Sequence, residues 1–523
     1  MAEEVKYFAR TSSGLVRSVS AWDAMIHNIC FMAPMAVMVY GVWSMELFSG
    51  VNLPLTALIA IPIAILCGIF YALFAAAMPR SGGDYVYVSR ILDPAIGFSI
   101  SFFFFVCLLS VAGAYVPWFT QWGIAPILEH LGSSGAASFI STNWMTFVVA
   151  VVIYAISAAI ISRGAKATMY AFWVFFALIL IGLFTYIGAM LSLGRAGFEA
   201  NFDALSGMNY RAVISTAQGA GFPLHFLAGA TFLGLVFTYI NFLGFHASVY
   251  AGSEIKRVER SQFIAIIGAT VIFGLITYIV YQVAFHTMGG QFLGSLAFLA
   301  ATGDPSYTLP FAEPFLHLLF GYVTQSSAVY TAMLIGWSMM TLAAILTYIF
   351  ICVRLVFAWS FDRVVPTALS KIDRRHNSPY LAVIVVSIVA IICQVLWIYT
   401  PLLSYFAYIV FGWMIMQGVT AVAAIMFPYR KRQLFETAPS VVKKMVGPLP
   451  LIVVFGIITL IISIWLGYAS IMPAFGGPIS PAVVAFTFGI FIVGGIIYAI
   501  SVAYHRSKER IPLGLTFREL PPE

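Results

Sequence analysis

Apolar residues in this chain arrive in long runs separated by short polar stretches. Twelve such runs can be marked: 21–47, 54–78, 95–127, 144–162, 168–193, 226–252, 262–286, 328–357, 380–399, 402–427, 448–472 and 480–504. Most hold between 20 and 30 residues, enough for a helix to cross a hydrocarbon core of ~30 Å. The pattern predicts an all-α polytopic membrane protein of about twelve spans in a single transmembrane unit, 1–523. Two connections are long, Gly194 to Leu224 and Thr287 to Gln325, and both are expected to hold short helices. The second contains "FAEPFLHLLFGY", whose amphipathic spacing suggests a cap over the outer mouth. The first reads equally well as a linker.

Composition agrees with that picture: 62% of the 523 residues are hydrophobic and 9% charged, against about 25% charged in globular proteins. The net charge of +7 would suit an anionic partner if it were clustered. It is not. With the N-terminus inside, 24 of the 26 Lys and Arg residues fall in cytoplasmic segments, and Arg195 and Arg211 are the exceptions. This is the positive-inside distribution, which places both termini in the cytoplasm of a multi-pass protein in the cell membrane. Anionic headgroups are incidental partners, and nothing points to nucleic acid. Residues Met1 to Ser20 lack an apolar core of signal-peptide type. Cys30, Cys67, Cys107, Cys352 and Cys393 all lie in apolar runs without metal-ligand spacing and read as packing residues. No metal or cofactor is expected.

No Asp, Glu, Lys or Arg lies deep in a run, so chemistry at mid-membrane falls to backbone groups, which helices expose where they break. The first run carries "IHNICFMAPMAV". Pro34 lacks an N–H and disfavours helical geometry at Ala33. One reading is a kink re-satisfied by neighbouring helices. The other is a half-helix ending near Ile29, a loosened stretch Cys30 to Ala33, and a second half-helix starting at Pro34. The N–H groups of Met35, Ala36 and Val37 would then face mid-membrane as a carboxylate site. The sixth run decides for the break. In "FTYINFLGFHASVYAGSEIKRVER", Asn241 and Gly244 sit at mid-depth and tolerate left-handed geometry. A half-helix ending there frees carbonyls of Phe237, Ile240, Phe242 and Leu243 for an ammonium group. Paired breaks in corresponding spans mark a transporter's substrate site, and carboxylate plus ammonium describes an α-amino acid.

Three motifs resemble the amino acid–polyamine–organocation (APC) superfamily of amino acid permeases. They are "PRSGGDYVYVSRILDPAIGF" after span 2, "GFHASVYAGSEIKRVER" after span 6, and "RLVFAWSFDRVVPTALSKIDRRHNSPYLAV" after span 8. In the first, Asp84 is suited to cap a short interfacial helix, with Tyr85 and Tyr87 in the headgroup zone. The resemblance implies two inverted five-helix repeats, approximately 21–193 and 226–427, two extra helices within 448–504, and alternating access. It implies substrate recognition by spans 1 and 6, through Ile29, Cys30, Met32, Ala33, Met35 and Ala36 and through the sixth-span group already named. Spans 3, 8 and 10 would add Ser110, Trp337, Thr341, Tyr348 and Ser404, although ordinary helix packing accounts for each of these more readily. Departures also stand out. Phe31 and Met32 replace a Gly-rich break and would either narrow the pocket or face away. His246 stands where the family has an acidic residue, Ile179 where cationic permeases often carry lysine, and Ala343 and Ala344 where sodium-coupled relatives place hydroxyls. H+ and Na+ both stay open as coupling ions.

Asp23 and His27 lie one turn apart in span 1, which suggests proton coupling, a hydrogen-bonded gate network or, for His27, a packed neutral ring. Glu254, beside Lys256 and Arg257, reads as a gate carboxylate or a solvated one, and Arg354 as a residue that snorkels to the interface. The leading expectation is a secondary amino acid transporter. A carrier of polyamines or of another small solute is the alternative. An enzyme is disfavoured because HExxH, GxSxG and paired intramembrane carboxylates are missing from the sequence. A channel lacks a TVGYG-like filter.

Overall fold

The computed structural model describes residues 12, 14–373, 375–401, 409–471, 481–509 and 513–521. All twelve expected runs appear as helices. Eleven are long and apolar enough to cross a membrane, and the remaining one, span 1, is a bent pair, Ala21–Met32 and Val37–Leu47, meeting at 40°. Spans 2 to 6 are Leu53–Ala77, Pro94–Phe119, Asn143–Ser162, Ala165–Leu205 and Ala228–Phe242. Spans 7 to 12 are Val258–Ala284, Ser327–Phe361, Tyr380–Tyr399, Ile409–Arg430, Leu451–Ser470 and Pro481–Tyr504. Three of these spans start on a side-chain cap. Asn52 accepts from the Leu55 N–H, Asp93 from Ala95 and Ile96, and Thr142 from Met145, each satisfying a donor that a helix start leaves orphaned.

Three spans outrun the expected boundaries. Span 3 continues through a π turn, Thr120–Ile124, into Ala125–His130. Span 5 continues to Leu205 across a kink where Gly194 takes φ 65°. Span 7 passes a second π turn, Phe285–Gly289, into Gly290–Thr302. The long connections therefore begin as helix. Between them Tyr210 stacks on Phe292 at 4.3 Å and donates to the Met288 carbonyl at 2.8 Å.

Span 8 forms the axis of the bundle, with 94% of its most apolar window buried against 11% for span 12. Spans 3 and 5 pack along it, span 7 joins spans 1 and 2, and span 10 packs on span 11. The end of the bundle where the Val19 backbone meets Glu254 and Lys256 also holds Arg90, Arg354 and Asp362. It is called here the basic face.

Candidate functional site

Span 1 starts on a capping box. The Ser20 hydroxyl accepts from the Asp23 N–H at 3.2 Å, and Asp23 accepts from the Ser20 N–H at 2.9 Å. The helix runs to Met32, three residues beyond the expected end near Ile29. The reason is simple: Pro34 removes only its own hydrogen bond, so residues before it keep theirs. Strain falls on Ala33, which adopts φ 53° and ψ 78°, at a cost of roughly 1–2 kcal/mol for a residue with a Cβ. The second half-helix starts at Val37 rather than Pro34. The Ala36 N–H is taken by the Ala33 carbonyl at 2.9 Å. Of the three expected free donors, Met35 and Val37 are left without an acceptor among the described residues.

Span 6 ends at Phe242, Gly244 takes φ 114°, and a 3-10 turn follows at Ala247–Tyr250. The expected carbonyl cradle is smaller than the sequence suggested. Asn241 donates to the Phe237 carbonyl at 3.1 Å, Leu243 N–H caps Ile240, and Phe245 N–H caps Phe242. The Asn241 and Leu243 carbonyls have no donor among the described residues. Asn28 ties the two interruptions together, its Oδ1 accepting the Ser248 N–H at 2.7 Å in a fully buried contact.

A cavity of about 50 Å³ lies between the breaks, room for a few water molecules by the ~10–15 Å³ that each needs. Met32, Ile240, Asn241, Leu243 and Tyr348 line it as anticipated. Phe31 faces into it and narrows it, edge-on to Tyr348 at 5.0 Å and to Trp413 at 5.9 Å. Tyr40, Tyr115 and Trp413 also line it and were missed. Tyr40 belongs to span 1, Tyr115 to span 3 and Trp413 to span 10, and in a chain that is 16% aromatic their side chains carry no signal that sets them apart from packing rings.

Several expected residues are elsewhere. The Ser110 and Thr341 hydroxyls donate to carbonyls of their own helices, Val106 and Ser338, both at 2.7 Å. Trp337 donates to the Trp118 carbonyl and stacks on His317 at 3.7 Å. Phe242 packs edge-on against Phe273 and Phe237 packs against Phe48. Cys30 points to the Phe172 carbonyl, while Ile29, Ala33, Met35 and Ala36 are buried backbone positions around the first break. Ser404 lies outside the described residues.

Toward the basic face the cavity is shut by charge. Arg354 holds Glu254 through two bonds of 2.7 and 2.8 Å, both side chains buried. Arg354 therefore does not snorkel: it lies over the Phe350 ring at 4.3 Å, and it, rather than Lys256 or Arg257, is Glu254's partner. Arg90 grips Asp362 through two bonds of 2.7 Å. Asp84 is not a helix cap. Its carboxylate accepts from Tyr71, Tyr250 and Thr420, with His246 stacked on Tyr71 at 3.9 Å. Tyr85 and Tyr87 are fully buried rather than at the headgroups, because their short helix packs inward against spans 3 and 10. Asp23 and His27 do not pair. Asp23 is held by Ser20 and by the Trp173 indole N–H at 2.9 Å, while His27 sits between Phe172 and Phe350.

The opposite end is shut by aromatic rings. The Trp43 indole donates to Glu313, and Phe315 packs on Trp43 and Trp122 at 5.9 and 4.7 Å. The amphipathic segment thus packs on this end of spans 1 and 3. Burial pushes the Glu313 carboxyl above the usual range, with the Trp43 hydrogen bond pulling back, and pushes buried His317 down to about 3, so that ring is neutral.

These features define an all-α multi-pass membrane protein with a small cavity between two interrupted spans. Residues 24–498 match the family described as amino acid permease, and the chain belongs to that family. Its members transport amino acids across membranes. A search of curated proteins finds no match.

Proposed function

We propose that this chain is a secondary active transporter that moves small neutral amino acids by alternating access. The observation that carries the reading is that both breaks beside the cavity leave backbone groups without partners. At the first break the Met35 and Val37 N–H groups have no acceptor among the described residues, and at the second Asn241 and Leu243, which line the cavity, have carbonyls without a donor among them. A helix start suits a carboxylate, and free carbonyls suit an ammonium group. The small apolar and aromatic lining favours a short side chain over a long one. Its lack of a carboxylate among the described residues speaks against polyamines.

In this reading the chain is one transport unit. Repeats 21–193 and 226–427 move against each other, and the helices within 448–504 are accessory. The basic face is cytoplasmic, consistent with the positive-inside distribution in the cell membrane. Glu254 and Arg354 form the inner gate, and the segment around Glu313 the outer one. Counterflow in proteoliposomes with a panel of amino acids tests the proposal, and imposed H+ and Na+ gradients identify the coupling ion. Exchange of glycine or alanine with exclusion of putrescine is expected. Exchange of putrescine alone would overturn it.

A further inference from the structure

A volume larger than the one at the helix breaks lies elsewhere. A groove of about 420 Å³ runs along the outside of span 4, closed behind by spans 5 and 8. Its wall includes Met145, Val152, Ile156 and Ile160, with Phe175 and Leu346 behind. Val152 and Ile156 are more than half exposed, so the groove opens sideways, to lipid. From Met145 to Ile160 the helix rises about 22 Å, more than the ~15 Å depth of one leaflet's hydrocarbon. The lining is almost wholly apolar, so a polar solute gains nothing there.

The end of the groove at the basic face is charged. Span 4 stops at Ser162, and the turn into span 5 carries Arg163 and Lys166, both exposed and without a carboxylate partner among the described residues. A second turn folds onto this one. A Cβ on Gly164 would lie 2.4 Å from the His376 carbonyl, and Ser378 donates to the Ile161 carbonyl at 2.9 Å. This contact brings exposed Arg375 to the same corner. Nearby Asp373 is already engaged by His376 and by the Arg375 N–H.

We infer that this groove is a binding site for an anionic phospholipid of the basic-face leaflet. One acyl chain lies along span 4, and the headgroup phosphate sits over Arg163, Lys166 and Arg375. Apolar length and a cationic mouth at the same end of one groove are what such a lipid matches, and a zwitterionic lipid satisfies only the first. Because the wall joins spans 4 and 5 to span 8, the lipid braces the outer helices against the axis.

The test is native mass spectrometry of the purified full chain titrated with phosphatidylglycerol, phosphatidylcholine or oleate. Phosphatidylglycerol is expected to bind on the order of tenfold tighter than phosphatidylcholine, given the gain per basic residue at a membrane surface. Arg163→Gln with Lys166→Gln, both on the surface, should bring the two lipids level without loss of folded protein. Ile156→Trp should weaken both by filling the groove. Equal binding in the wild type, an unchanged preference in the charge variant, no effect of Ile156→Trp, or oleate binding as tightly as phosphatidylglycerol would each overturn the assignment.

Discussion

Phe31 occupies the space that any side chain on residue 244 would need: a Cβ there would lie 1.8 Å from Phe31 Cδ1. The two interrupted spans thus meet ring against bare backbone. Gly244 also sits at φ 114°, where L residues are strained by roughly 1–3 kcal/mol. Gly244→Ala is expected to abolish counterflow and lower thermal stability. Adding Phe31→Ala relieves the clash and not the strain, so the double variant should recover stability in part and transport poorly.

The Glu254–Arg354 pair is buried on both sides. Removing one partner leaves an uncompensated charge, typically costing about 3–5 kcal/mol, whereas replacing both with apolar residues is far milder. Glu254→Leu and Arg354→Met are each expected to lower the melting temperature sharply, and the double variant Glu254→Leu with Arg354→Met much less. Thermal unfolding of the four proteins measures the coupling. Loss of the closed gate should also raise maleimide labelling of buried Cys30.

Asn28 supplies the acceptor for the Ser248 N–H. With Asn28→Ala that donor is left buried and unpaired, at a cost of about 1–3 kcal/mol. Hydrogen exchange over Ala247–Tyr250 should accelerate, with little change in span 2.

The cap is expected to respond to pH through Glu313. Its carboxyl is raised by burial, so the closed cap binds a proton more tightly than an open one does. The stabilisation is complete below the ordinary carboxylate range and is lost as pH rises through the raised folded value. Protection factors over residues 311–323, which divide out the intrinsic pH dependence of amide exchange, should therefore fall as pH rises across that window, and Glu313→Gln should make them independent of pH there.

Cavity size is set by rings that side-chain volume controls directly. Trp413→Ala should cost about 3–5 kcal/mol as a core truncation and extend the range of amino acids exchanged toward bulkier side chains.

Much of this was written along the chain. Long apolar runs have one way to satisfy their backbone in lipid, so twelve helices and their alternation were legible. So were the two breaks, because Pro34 and the Asn241–Gly244 stretch act locally on their own hydrogen bonds. The amphipathic stretch was legible for the same reason, as a periodicity within one segment. Contacts between distant segments were not. Arg354, Asp84, Tyr85 and Tyr87 each read as interfacial from their neighbours in sequence, yet all four are buried, because the partners that make burial tolerable come from elsewhere. Arg354 needs Glu254, and Asp84 needs Tyr71, Tyr250 and Thr420. The cavity lining had the same fate: which face of spans 3 and 10 turns inward depends on how helices pack, and one residue of rotation exchanges Ser110 for Val111. Periodicity and composition act through nearest neighbours and so determine elements. The pairing of buried charges and the inward faces of helices are properties of the packed bundle, and the tertiary structure alone decides them.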